Sequence, residues 1–166
     1  MQLPPIVLEF FHRNGLVNAA LLEHLTPDDL MLSDGQGGLS IGQHLEHLFG
    51  VRRYWVGKVA PTSAERIEHS TLEGNNRHWD VTLDLQSLKA AFEEGDLAAL
   101  EAVQDAYREN RKFAGVYESD PSHLLFHAVV HDAHHRGQVM TLLRQHGRPL
   151  EQMDEIDGAT WPIWKQ

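Results

Sequence analysis

Apolar residues recur at helical spacing in four long stretches, and no stretch alternates with the period of a strand. The first covers residues 6–25, with Val7, Phe10, Phe11, Leu21, Leu22 and Leu25 in register, and Pro4–Pro5 suits its start. Gly15 weakens its middle without breaking it. A turn at 26–29 and a glycine-rich loop at 33–38 follow. Ser40 opens the second stretch. Ser40 and Gln43 form a capping box, in which the serine side chain caps the N3 amide and the glutamine reaches back. Ile41, Leu45, Leu48, Val51 and Trp55 then share one side, and Pro61 ends the run. Residues 62–82 lack a stable period and carry Gly74, Asn75, Asn76 and Asp80, so an irregular connection is expected, of a length that is often functional. Residues 85–92 predict a short helix. Asp96, after Gly95, predicts a fresh N-cap for a helix over 97–112. Asp120–Pro121 predicts the start of the last long helix, which Gly147 and Pro149 stop. The tail at 151–166 has little period. Four long helices predict an all-α chain, a four-helix bundle forming one domain over 1–166.

Composition narrows the function. Hydrophobic residues make up 42% and charged residues 23%, which is ordinary for a folded globular chain. A formal net charge of -10 argues against nucleic acid or an anionic membrane as partner, since both are polyanions. There is no cysteine, so disulfides, cysteine–zinc knuckles, iron–sulfur clusters and a cysteine nucleophile are excluded. The N-terminal residues lack the pattern of a signal peptide and no apolar run has membrane-spanning length, so a cytoplasmic location is the default expectation.

The chemistry concentrates in HAVVHDAHHRGQV, residues 127–139, which hold four of the twelve histidines. His127, His131 and His135 are each four apart, so on a helix they stack along one face. Two imidazoles so placed can close on one metal ion, as in H-E-x-x-H, although the glutamate of that motif is missing here. On a helical wheel Leu124, His131, His135, Gln138 and Leu142 share one narrow stripe, with His127 at its margin and His134 farther round. Two inward histidines at adjacent turns need a shared explanation, a metal ion ahead of a hydrogen-bonded core pair or a wet helix face, because an uncompensated buried imidazole is costly. Asp132 is next to His131 but points roughly 100° away from it. A third ligand is expected from the second helix, where His44 and His47 are three apart and the wheel does not choose between them.

The stretch HDAHHRGQVMTLLRQHG at 131–147 is similar to the H-x-x-x-H-R-G-Q signature of the DinB-like family. HLFGVRRYW at 47–55 resembles that family's second-helix pattern, a histidine followed eight residues on by an aromatic. The resemblance implies a DinB-like four-helix bundle with a three-histidine metal site. It carries over His131 and His135 from the last helix and His47 from the second. Arg136, Gly137 and Gln138 belong to the same signature; close helix approach would explain Gly137, and Gln138 is placed to hydrogen-bond behind the ligands.

Three protein ligands leave open positions on a divalent transition metal, zinc or nickel foremost, which suits catalysis better than a closed structural site. Some members of the resembled family transfer a low-molecular-weight thiol to an electrophile. The resemblance therefore implies a thiol S-transferase-like reaction, with a small-molecule thiol and an electrophilic substrate as partners and a homodimer as the oligomeric expectation. Tyr54, Trp55 and Trp161 are candidates to line the pocket. The alternatives are a metal-binding stress or sensor protein without turnover, and a metal-assisted hydrolase.

Overall fold

The computed structural model describes residues 2–67 and 84–166, and these are helical with no strand among them. The helices are α1 (Pro5–Glu23), α2 (Ile41–Val59), the single turn α3 (Pro61–Ala64), α4 (Leu85–Arg108), α5 (His123–Gln145) and α6 (Leu150–Thr160). Short 3₁₀ turns, Pro27–Met31 and Trp161–Trp164, complete the order. The expected all-α bundle is thus observed. α1 packs against α4 and α5, and α2 packs against the same two helices. The order around the bundle is therefore α1, α4, α2, α5, and the two helices that carry histidines, α2 and α5, are neighbours.

The capping signals explain the ends. Ser40 caps α2 by accepting from the Gln43 N–H at 3.2 Å, while the Ser40 N–H donates to Gln43 Oε1 at 2.8 Å. α2 then buries Ile41, Leu45, Leu48, Phe49 and Val56 against α4 and α5. Removing any of these core side chains to alanine would cost on the order of 2–5 kcal/mol.

Several expectations are corrected. Residues 85–108 form one helix, capped by Asp84, which accepts from the Ser87 N–H at 2.7 Å. The Gly95–Asp96 pair does not interrupt it. A Cβ on Gly95 would stand 2.9 Å from Arg52 Cδ, so the glycine makes room for an arginine crossing from α2. Asp96 points inward to that same arginine instead of capping a helix.

α5 starts at His123, after a turn at Pro121 and Ser122. Asp120 still organises that start, accepting from the Ser122 N–H and from the Ser122 and Tyr107 hydroxyls. The tail is helical over Leu150–Thr160, because Met153 and Ile156, three apart, bury one face. Of the irregular connection expected over 62–82, Pro61–Ala64 is a helical turn, while residues 68–83 lie outside the described residues.

No helix among the described residues is long and apolar enough to cross a membrane.

Candidate metal centre

His47 projects from α2, and His131 and His135 project from consecutive turns of α5, into the seam between the two helices. One nitrogen from each of the three can be chosen so that all lie within 4.8 Å of one another. The ring centroids are 5.0 Å apart for His47 and His131, 4.9 Å for His47 and His135, and 4.6 Å for His131 and His135. Imidazoles so placed can converge on a single ion.

Burial makes the donor set chemically suitable. Burial, then the neighbouring His47, pushes His131 down to about 4. Burial, then His131 and His47, pushes His135 down to about 3. Burial also lowers His47. All three rings are therefore neutral at pH 7, with lone pairs available to a cation, and three uncharged nitrogens crowded together favour a soft or borderline metal over calcium or magnesium.

His44 joins the cluster from behind. Its Nδ1 lies 2.8 Å from Nδ1 of His135, and it is buried and pushed down to about 4 by burial and then by His47. The two Nδ1 atoms share one proton, so this contact occupies Nδ1 of His135 and leaves Nε2 as its open nitrogen. His44 and His47 thus both reach His135, from one helix face but in different ways: His47 as a member of the converging triad and His44 as a hydrogen-bond partner. Helical spacing alone cannot separate these roles, since both residues lie within one turn of α2.

The other histidines of residues 127–139 stand outside the triad. His127, half-buried, has Nδ1 2.5 Å from the Tyr117 hydroxyl and its ring 6.0 Å from that of His131. Tyr117 adopts φ 51°, a left-handed conformation unfavourable for a tyrosine, and is pushed up to about 12 by burial. Its hydroxyl therefore keeps its proton and stays hydrogen-bonded to His127. Trp55 packs on both rings, at 5.8 Å from Tyr117 and 5.7 Å from His127. His134 is exposed, beside His135.

Trp55 lies beside the histidines as expected. Tyr54 is mostly exposed, packed on Trp55 and Lys58, and Trp161 lines a different cleft between α1, α5 and α6. Gly137 is not a point of close helix approach, since a Cβ there would meet nothing within 4 Å. Gln138 lies 3.3 Å from His134, not behind a member of the triad, and its Oε1 is buried without a partner among the described residues.

The residues not anticipated lie directly behind α5. Asp132, fully buried, accepts from Arg52 Nη1 at 2.9 Å and Nη2 at 2.5 Å, and from Asn14 and Asn18 at 2.6 and 2.7 Å. Arg52 also bonds Asp96 at 2.6 Å, so one guanidinium ties α2 to both α4 and α5. Burial raises the Asp132 pKa, but the Arg52 charge and the hydrogen bonds from Arg52, Asn18 and Asn14 outweigh it and hold the carboxyl below its usual range. The network fixes α5 against α2 at Asp132, one residue from His131, and so sets the register in which His47 meets His131 and His135. A signal was available in the chain. Arg52 falls on the inner stripe of α2 with Leu45, Leu48 and Val56, and Asn14 and Asn18 fall on that of α1 with Phe11 and Leu21.

An α-helical bundle with three neutral histidines converging between two neighbouring helices defines a class of helical protein suited to holding a divalent metal. The chain belongs to the DinB family, whose family model matches residues 6–166, nearly the whole length. No curated protein and no solved structure gives a significant match to it.

Proposed function

We propose that His47, His131 and His135 hold a zinc or nickel ion with open coordination positions, and that the protein is a thiol S-transferase-like enzyme joining a low-molecular-weight thiol to an electrophile. The observation that carries the reading is the convergence of three neutral imidazoles from α2 and α5 within 4.8 Å. Such an ion, when bound, lowers the pKa of a thiol or water and stabilises the resulting anion. With no cysteine in the chain, the sulfur nucleophile must come from a cosubstrate. His44 holds the His135 ring by its Nδ1, leaving Nε2 free to bind the ion. Tyr117 holds the His127 ring by its Nδ1, at the edge of the histidine cluster, which leaves Nε2 of His127 as the nitrogen free to meet the electrophile. Trp55 supplies the apolar wall beside it. The hydrolase alternative is weakened because Asp132, the acid adjacent to His131, is engaged by Arg52 and two asparagines and is not free to act as a base.

The assignment of roles on α2 has a direct check by chelator competition. His47→Ala should lose tight metal binding altogether. His44→Ala should still bind one ion, about 10–100-fold more weakly, the usual loss when a ligand's orienting partner is removed. The reverse outcome would make His44 the ligand.

The reaction is tested by loss of monochlorobimane with metal-loaded protein and bacillithiol, mycothiol or glutathione. Turnover should require thiol, protein and metal together. No turnover with any of the three thiols would end the transferase reading and leave a metal-binding protein without turnover.

A further inference from the structure

On the side of α5 away from the histidine triad, α1, α5, α6 and the terminal 3₁₀ turn enclose a cleft of about 250 Å³. Trp161, Trp164, Met140, Arg136, Gly137 and Asp157 are among the residues lining it. For comparison, a cavity of roughly 150 Å³ takes a benzene ring. The wall is pinned in place. Trp164 packs on Phe10 with ring centroids 5.4 Å apart, and Arg13 donates to the backbone carbonyls of Ile163 and Gln166.

Arg136 is the unusual member. Its side chain is only 13% exposed, yet its nearest carboxylate among the described residues, Asp132, is 4.0 Å away and already bonded twice by Arg52. Its Nη1 donates to the side-chain oxygens of Asn14, at 2.8 Å, and Asn18, at 2.5 Å. Those partners are neutral. Nε and Nη2 make no hydrogen bond to any described residue, and neither is completely buried. Arg52 and Arg136 with Asp96 and Asp132 form a charge-balanced cluster, so what Arg136 leaves open is hydrogen bonding and not charge. Guanidinium forks recognise carboxylates through two parallel donors.

Gly137 points the same way. Glycine inside a helix costs roughly 1 kcal/mol relative to alanine. Here the space a side chain would occupy is open, with nothing within 4 Å of a Cβ, and Gly137 lines the cleft. A side chain at this position would fill the cleft.

We propose that this cleft is a binding site for a small organic monocarboxylate with an apolar body, the carboxylate held by the unused donors of Arg136 and the body lying against Trp161 and Trp164. Asp157 in the wall disfavours a dianion such as a phosphate monoester. The inference is independent of the metal centre.

Calorimetric titration of the full-length protein with 3-phenylpropionate, its neutral amide, 3-phenylpropylamine and phenyl phosphate tests it. The carboxylate should bind. The amide should bind about ten- to hundredfold more weakly, the range expected for loss of a charge-assisted hydrogen bond, and the phosphate more weakly than the carboxylate because Asp157 repels its second charge. The amine should not bind. Arg136→Gln should weaken the carboxylate to the level of the amide. Gly137→Leu, which meets no neighbour at its Cβ and so should remain folded, should abolish binding by filling the cleft. No binding of the carboxylate, preference for the amine through Asp157 or for the phosphate, or binding unchanged in Gly137→Leu would each overturn the proposal. The last result would place the ligand elsewhere, the histidine centre included.

Discussion

Asp132→Ala is expected to lower the unfolding free energy by about 3–5 kcal/mol, the range seen when one partner of a buried ion pair is deleted. The reason lies in what is left behind. Arg52, only 3% exposed, would keep Asp96 but lose both bonds to Asp132. Asn14 and Asn18 would each lose the acceptor for a buried amide. An arginine in a protein keeps its proton, so the guanidinium cannot escape the loss by deprotonating. The pH dependence has a definite sign. The folded-state pKa of Asp132 is lowered, so its stabilisation is fully present above the unfolded-state value of about 3.9 and fades as pH falls below that. Denaturant unfolding of both proteins at pH 7 and near pH 3 should therefore show a wide gap that narrows in acid. A loss under about 1 kcal/mol at pH 7 would mean the network does not hold the bundle as described. Because Asp132 adjoins His131, the same variant should also bind metal more weakly while still folded.

The second large effect is loss of metal on His135→Ala. His135 is the centre of the cluster: buried, bonded to His44, and with its ring within 4.9 Å of those of His47 and His131. Without it two imidazoles remain, too few for a tight site. Metal content of untagged protein should fall from one ion per chain to near zero, and retained helical circular dichroism would show that the fold is not the cause. Equal metal content in variant and parent would refute the site. The pH response follows from burial. The folded-state pKa values are lowered, to about 4 for His131 and about 3 for His135, so neither ring carries a proton to displace at pH 5.5. With His47 lowered as well, uptake should fall less between pH 7.5 and 5.5 than at a site of ordinary histidines. Ordinary histidines, with pKa about 6.5, would already be losing metal at pH 5.5.

The helices were legible because their signals are local. Apolar residues three and four apart define the faces, and the Ser40–Gln43 capping box forms with both its hydrogen bonds. Where the reading went astray, the deciding contact was distant in sequence. Gly95–Asp96 reads as a stop and a new cap, but Arg52, 44 residues away from Asp96, turns it into a helix-interior passage for a side chain. The tail reads as irregular because its apolar residues, Met153 and Ile156, are too few to make a period by themselves. The His131 and His135 pair was visible in their spacing of four. His47 needed the family resemblance, since His44 and His47 differ on a wheel by less than the width of the buried face. Arg52 and Asp132, 80 residues apart, were the least legible, because a charged residue on an inner stripe declares that a partner exists but not which one it is.

The central claim is that α2 and α5 hold one metal ion through His47, His131 and His135. The most direct measurement is the anomalous-scattering map of a crystal of metal-loaded protein. The account predicts one strong peak between the two helices, about 2.0–2.1 Å from a nitrogen of each of these histidines, with His44 bonded to His135 and not to the ion. A peak ligated by His44 in place of His47, or located away from the triad, would contradict it.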